Sequence, residues 1–459
     1  PLPQRPKQIA RPASRIQLGG TGMFGYYLDL ALRSLKRSPI LTSLMVLAIG
    51  LGIGSSMTMI TVLHVMTSDP LPGRSAMLFT PHLDPLPLAH KHRSEGPDPT
   101  DNLTWPDAMA LLKAHPAQHQ AAMAGGRLLL RPALADARPF YVTGRYTTSE
   151  LFSLFGLPFE HGRGWSAADD AARSHVVVLS NTLDRKLFGN ASGIGQTVRL
   201  GDNDFRVIGV TADWLPQPMF YADLSAQSFG ESDQFFLPLS AAVDLKLQTS
   251  GNRSSWGKGD TDDLMTSANM SWLQFWVQLD SRVEVQVYSQ FLVDYSAQQK
   301  ALGRFERPST DAKLYSLMGW LAHKNLVPTD VRLQLWLALG FLLVCIVNIV
   351  ALLLAKFLRR SGEISVRRAL GARRADIFMQ LGIESAMVGV GGGVLGLLIA
   401  QLGLWTVRRR PDDYAQLAQM DPSMLLGTFA LAVLASVLAG LLPAWRACRV
   451  QPALQLKTS

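Results

Sequence analysis

GEISVRRALGARRADIFMQLGIES, Gly362 to Ser385, sets Arg367, Arg368, Arg373 and Arg374 around a short Ala369-Leu370-Gly371-Ala372 turn. Before it runs LQLWLALGFLLVCIVNIVALLLA, Leu333 to Ala355, and after it AMVGVGGGVLGLLIAQLGLWTV, Ala386 to Val407. A helix needs about 20 apolar residues to cross the hydrocarbon core of a bilayer. Both runs meet that length, so the quoted segment reads as a charged turn between two membrane spans. Two further runs qualify: ILTSLMVLAIGLGIGSSMTMITVLHVM, Ile40 to Met66, and MLLGTFALAVLASVLAGLL, Met424 to Leu442. No such run occurs between Thr67 and Asp330. The fold expected is a membrane α-helical protein with four transmembrane helices and a large α+β domain inserted between helices one and two.

Composition agrees. Of the 459 residues 48% are hydrophobic and 17% charged, with a mean hydropathy of +0.13. That is too apolar for an ordinary soluble chain and too polar for a transporter buried in lipid throughout. The net charge of +9 fits the positive-inside rule better than nucleic-acid binding, for which no signature is present. The two cysteines, Cys345 and Cys448, lie outside the inserted domain, which therefore has no disulfide framework and no cysteine metal site.

Lys and Arg set the orientation. Arg33, Lys36 and Arg37 precede span one, Lys356, Arg359, Arg360 and the four turn arginines separate spans two and three, and Arg446, Arg449 and Lys457 follow span four. Counting spans alternately puts all three groups on one side, so both termini are expected in the cytoplasm and the inserted domain in the periplasm. Arg408, Arg409 and Arg410 violate the pattern in part, offset by Asp412, Asp413 and Asp421. Phe24, Tyr27, Leu28, Ala31, Leu32 and Leu35 recur at helical spacing and predict an amphipathic helix in the inner interface. Pro39 separates it from span one.

The expected organisation is an upstream or cloning-derived segment 1–22, with Met23 as the start; an interfacial helix 23–39; span 40–66; a periplasmic domain 67–330; and span 333–355. A cytoplasmic coupling segment 356–385, spans 386–407 and 424–442, and a cytoplasmic tail 443–459 follow.

In the inserted domain RPFYVTGRY and SHVVVLS read as strands. TTSELFSLFG and NTLDRKLFG read as short helices, with Thr148 or Ser149 and Asn181 as candidate N-caps. QTVRLGDNDFRVIGV reads as a hairpin around Gly201-Asp202-Asn203. Pro81 to Pro106 reads as an irregular loop, and Asp244 to Asp263, rich in Gly and Ser, as a mobile one.

These residues carry a resemblance. YVTGRYTTSELFSLFGLPFEHGRGWSAADD, VVVLSNTLDRKLFGN, GIGQTVRLGDNDFRVIGV and FFLPLSAA resemble the periplasmic core of MacB-type ABC transporter permeases. GEISVRRALGARRADI, the Gly-rich third span and LPAWRACRVQPALQLK resemble the FtsX-like permease block of the same superfamily. The matches keep the family's order from Met23 to Lys457. The resemblance implies a bacterial inner-membrane permease, not itself an enzyme, that couples ATP hydrolysis to movement of its periplasmic domain and so drives efflux of a periplasmic substrate. It further implies a separate ABC ATPase subunit binding ATP and Mg²⁺, a second permease copy or homologous permease, and a periplasmic adaptor with an outer-membrane exit duct. Lipoprotein release is an alternative, as is a mechanotransmitting scaffold that regulates a cell-wall hydrolase or sensor. No G-x-x-x-x-G-K-[ST] occurs; GNRSSWGKG, Gly251 to Gly259, has one residue too many before Gly257-Lys258 and a Gly where a hydroxyl is needed.

Within that frame Gly371 is expected to end one helix left-handed and reverse the chain. Ile377, Phe378 and Leu381 form the apolar stripe of a second short helix. The resemblance makes Arg367, Arg368, Ala369, Leu370, Gly371, Ala372, Arg373 and Arg374 the ATPase-coupling element, its arginines gripping acidic partners or lipid headgroups. Gly389, Gly391, Gly392, Gly393 and Gly396 permit close helix approach in span three. Asn348 is expected to bond across helices, and Glu384 to sit at the interface. His82, His90, His92, His115 and His119 read as solvated loop residues and not as metal ligands, since no Cys and no H-E-x-x-H accompanies them.

Overall fold

The computed structural model describes residues 20–90, 99–114, 117–132, 138–225, 228–256, 264–327, 329–409, 420 and 422–449. The described residues open with α1 (Gly20–Arg37) and α2 (Pro39–Thr67). Ser38 breaks the helix and Pro39 starts the next, where its missing N–H is no loss. Next come β1 (Leu78–His82), β2 (Leu103–Thr104), α3 (Trp105–Ala114), β3 (His119–Arg131), β4 (Phe140–Thr147) and α4 (Leu151–Phe155). They lead to β5 (Phe159–Gly162), α5 (Ala167–Ala171), β6 (Val176–Ser180), α6 (Asn181–Phe188), β7 (Thr197–Leu200) and β8 (Asn203–Thr211). After these lie β9 (Phe235–Pro238), α7 (Leu239–Asp244), β10 (Thr249–Ser250), β11 (Ser254–Ser255), β12 (Met270–Gln278) and α8 (Arg282–Ala301). Then follow β13 (Lys313–Ser316), α9 (Leu317–His323), α10 (Thr329–Arg359), α11 (Ser361–Ala369), α12 (Arg374–Val407) and α13 (Pro422–Arg449).

These elements form two compact units. One holds α1, α2 as far as Leu63, and α10 to α13; the other begins at His64 and runs to the residue before α10.

The second unit is built on a mixed sheet in the order β13-β1-β12-β3-β4-β9-β6-β8-β5. Pairs β4–β9 and β6–β8 are parallel, while β12–β3, β3–β4 and β6–β9 are antiparallel. Side chains alternate across it. On β3, Ala122 and Ala124 enter one core, with Leu111 of α3 and Tyr288 and Leu292 of α8. Ala121 and Met123 enter the other, with Leu151 and Phe155 of α4 and Leu317 and Leu321 of α9. A sheet covered on both faces needs apolar residues in both registers. β12, MSWLQFWVQ, is accordingly buried almost throughout.

The hairpin read around Gly201 is β7–β8, with Val198 opposite Phe205 and Leu200 opposite Asn203. Four local readings are corrected. Ser180, not Asn181, caps α6: its hydroxyl accepts the Leu183 N–H at 3.2 Å. α4 follows Glu150 without a side-chain cap, and the Ser149 N–H goes to the Asp170 carboxylate at 2.7 Å. The Asp244–Asp263 tract is not a free loop, because β10 and β11 add to β3 and β12; its residues 257–263 lie outside the described ones. Within Pro81–Pro106, β1, β2 and the start of α3 are regular.

In the first unit, among the described residues, four helices are long and apolar enough to cross a membrane: α2, α10, α12 and α13. The mixed α/β unit lies between the first and second of them in sequence. Each apolar run lies within a longer helix. α12 is continuous from Arg374, so the separate short helix expected before span three is instead its first turns. Ile377 and Leu381 are buried there, whereas Phe378, read with them, is exposed.

Candidate functional site

Four residues, Leu370 to Arg373, separate α11 from α12. Gly371 has φ +101°, on the side of backbone space that L side chains avoid. The Ala372 N–H reaches back to the Arg367 carbonyl at 3.1 Å, and the Leu370 N–H bonds the Val366 carbonyl at 3.0 Å. The first is the six-to-one bond of a Schellman helix stop. α12 then starts at once. The Asp376 carboxylate accepts the Arg373 N–H at 3.2 Å and lies in the first turn, where a negative charge meets the positive end of the helix dipole.

Leu370 at the apex is 82% exposed, and Val366 and Met379 beside it are also exposed. Arg373 and Arg374 are exposed as well. The side chains of Arg368 and Ala369 lie outside the described residues. Arg367 does not reach outward as expected: it donates to Glu363 at 2.8 Å and to Gln380 Oε1 at 3.0 Å, tying α11 to α12. Membrane topology requires only the charge. An exposed leucine on a rigid, capped turn adds nothing to it, but is what a partner's apolar cleft can bind.

Below the turn lies a buried charge cluster. Glu384 of α12 is fully buried, and Lys356 of α10 lies 2.6 Å from its Oε1 in a close ion pair that lacks the direction of a good hydrogen bond. Arg360 approaches Oε2 at 3.4 Å. Ser34 of α1 donates to Oε1 at 2.5 Å and also meets the Arg360 guanidinium. The sequence held one signal for this cluster: Lys356 and Glu384 are lone charges beside membrane-length apolar runs.

The glycines of α12 sit where other helices of the same unit approach. A Cβ on Gly389 would come 2.9 Å from the Val433 Cα, and one on Gly393 3.1 Å from the Ala432 Cβ, both on α13. A Cβ on Gly392 would come 2.5 Å from the Ile49 Cβ, and one on Gly396 3.4 Å from the Gly50 carbonyl, both on α2. Gly391 faces Val46, also of α2. Asn348, expected to bond across helices, is exposed in the single chain, on a stripe of α10 with Leu337, Phe341 and Val344.

In the other unit His82 lies on β1, its ring 5.8 Å from that of Tyr315 and 6.2 Å from that of His323. His119 lies on β3 with Nδ1 2.8 Å from Glu150. Neither is a solvated loop residue; His92 and His115 lie outside the described residues. Among the described residues no group of three or more His, Cys, Asp or Glu could hold a metal ion. The most enclosed ion pair among the described residues of this unit is Arg145 with Asp233, where Nε donates at 2.8 Å and the guanidinium lies 4.5 Å from the Tyr221 ring centre.

A model of the MacB-like periplasmic core domain matches residues 42–290, more than half of the chain. The chain belongs to the MacB-like permease family. A model of the FtsX-like permease C-terminal region matches residues 336–452 and so includes the α11–α12 turn and the charge cluster, apart from Ser34. Relatives of this MacB-like chain include the pyoverdine export ATP-binding/permease protein PvdT of Pseudomonas entomophila, 28% identical over 78% of this chain and 49% of that protein. The macrolide export ATP-binding/permease protein MacB of Escherichia coli K12 is 24% identical over 94% of this chain and 60% of that protein. The MacB-like chain thus spans about half the length of the curated relatives it matches. A crystal structure of the periplasmic region of MacB from Actinobacillus actinomycetemcomitans is 17% identical, covering 57% of this chain and 99% of that one with a TM-score of 0.37.

Proposed function

We propose that this permease converts ATP hydrolysis by a separate partner chain into movement of its α/β unit, and so drives export of a periplasmic substrate such as an antibiotic or peptide. The observation that carries the reading is the α11–α12 turn: a rigid Schellman stop presenting exposed Leu370 between cations, within an FtsX-like permease segment. Relatives named as ATP-binding/permease exporters support the class of activity. ATP and Mg²⁺ belong to the partner on this reading, since the nearest approach to a phosphate loop, Gly251 to Gly259, has the wrong spacing. The basic groups before α2, between α10 and α12 and at the end of α13 support a cytoplasmic turn and cytoplasmic termini in a bacterial inner membrane.

A second permease copy or a homologous permease completes the transporter. The α10 stripe supports this, because Leu337, Phe341, Val344 and Asn348 repeat at alternating spacings of four and three, and a polar Asn facing lipid is unfavourable until covered. An adaptor and an outer-membrane duct are the further partners. The test is enzymatic. The purified chain alone is expected to hydrolyse no ATP above background, with hydrolysis appearing in the complex copurified from native membranes. Robust hydrolysis by the chain alone contradicts the proposal.

A further inference from the structure

The Glu384 carboxylate joins three elements. Lys356 comes from the last turns of α10, Arg360 from the joint between α10 and α11, and Ser34 from α1, all converging on a side chain of α12 with no exposed surface. The cluster continues to the turn. Arg360 lies 3.8 Å from Glu363, Glu363 pairs with Arg367 at 2.8 Å, and the Arg367 carbonyl closes the Schellman stop at Gly371. An unbroken line of polar contacts therefore runs from the exposed apex to Ser34.

Stability alone does not call for this arrangement. Buried ion pairs are often matched or surpassed in stability by apolar pairs of similar volume. A shared carboxylate supplies something an apolar pair does not: directional bonds to several elements at once. Oε1 takes Lys356 and Ser34 while Oε2 takes Arg360, so displacing any one element strips a charged group of its partner in a dry environment. Elements joined in this way are expected to move together.

We propose that Glu384 is a positioning residue that locks α1 and the joint after α10 to the α11–α12 turn, so that a push on the turn moves all of them as one body. The use of that body in transport rests on the proposed function; the lock itself is measurable without any ATPase. The experiment is amide hydrogen exchange on the full chain in lipid nanodiscs, following peptides that cover Ala31 to Arg37 of α1 against peptides from α13. Glu384→Gln is expected to speed exchange in α1 by about tenfold or more, the scale of one lost charge-assisted hydrogen bond, with α13 unchanged. Glu384→Gln also leaves Lys356 buried without its counter-charge and can lower the yield of folded protein. The double variant Lys356→Met/Glu384→Leu removes that complication by making the pair apolar. It is expected to insert normally yet keep the fast α1 exchange. Lys356→Glu/Glu384→Lys retains an ion pair but turns a cation toward Arg360, and is expected to behave the same way. Wild-type α1 protection in either double variant would show that Glu384 only neutralises Lys356, and would overturn the proposal. Failure of the wild-type chain to associate with an ATPase would instead overturn the proposed function and leave the lock standing.

Discussion

Gly371→Val is expected to insert into the membrane at wild-type levels and yet lose ATPase association and ATPase-linked export. A Cβ built on Gly371 meets no atom within 4 Å, so steric conflict with neighbours is not the cause. The cause is the backbone: φ +101° disfavours an L side chain, and a β-branched one most of all, by about 1–2 kcal/mol. The variant escapes by relaxing φ, which breaks the Ala372-to-Arg367 bond and re-aims Leu370. The spans have no reason to unfold, since their backbone bonds are internal to each helix and lipid offers no alternative partners. Gly371→Asn, which tolerates positive φ better than Val, should fall between Val and wild type. Copurification of the ATPase, export and membrane insertion are scored together; full association and export in Gly371→Val would reduce the segment to a topology signal.

Arg145→Met is expected to destabilise the α/β unit by about 3–5 kcal/mol, the usual cost of stranding one partner of a buried ion pair. Arg145 and Asp233 are 3% and 6% exposed, so water cannot take over from the lost guanidinium. Burial works against the Arg145 charge, but Asp233, with Asp223 adding, outweighs it and holds the group above its ordinary value. Tyr221 cannot substitute: burial, reinforced by Asp233, pushes its hydroxyl well above the usual phenol range, and it stays neutral. Arg145→Lys keeps the charge but loses the planar fork, and should lie between. Arg145→Met/Asp233→Asn, with neither charge left, should recover most of the loss. Thermal unfolding followed by near-ultraviolet circular dichroism reads all of these. A single variant within about 1 kcal/mol of wild type would mean that the pair is not what holds β4 to the loop before β9.

The membrane helices were legible because bilayer thickness fixes their length, and the β7–β8 hairpin because Gly201 and its neighbours punctuate two β-rich runs. β12 carries no alternation to read, since both its faces are covered. Gly371 was legible as a helix stop from its place between two apolar periodicities, and its geometry follows that reading. The burial of Glu384 was not legible, for a different reason. Its burial depends on Lys356, Arg360 and Ser34, which come from elements far away in sequence, and no spacing within α12 reveals which face they meet. Asn348 shows the same limit: a polar residue in a span signals a partner, but periodicity alone does not say whether that partner lies within the chain or outside it.

The central claim is that the α11–α12 turn is gripped by an ATP-binding partner. The most direct measurement replaces Leu370, the exposed apex residue, with a photo-reactive phenylalanine analogue and irradiates native membranes. The account predicts a single dominant cross-linked protein that contains a phosphate-loop motif, with the cross-link lost when Gly371→Val is added. Cross-links to lipid alone, or a cross-link to the same protein that survives Gly371→Val undiminished, would contradict it.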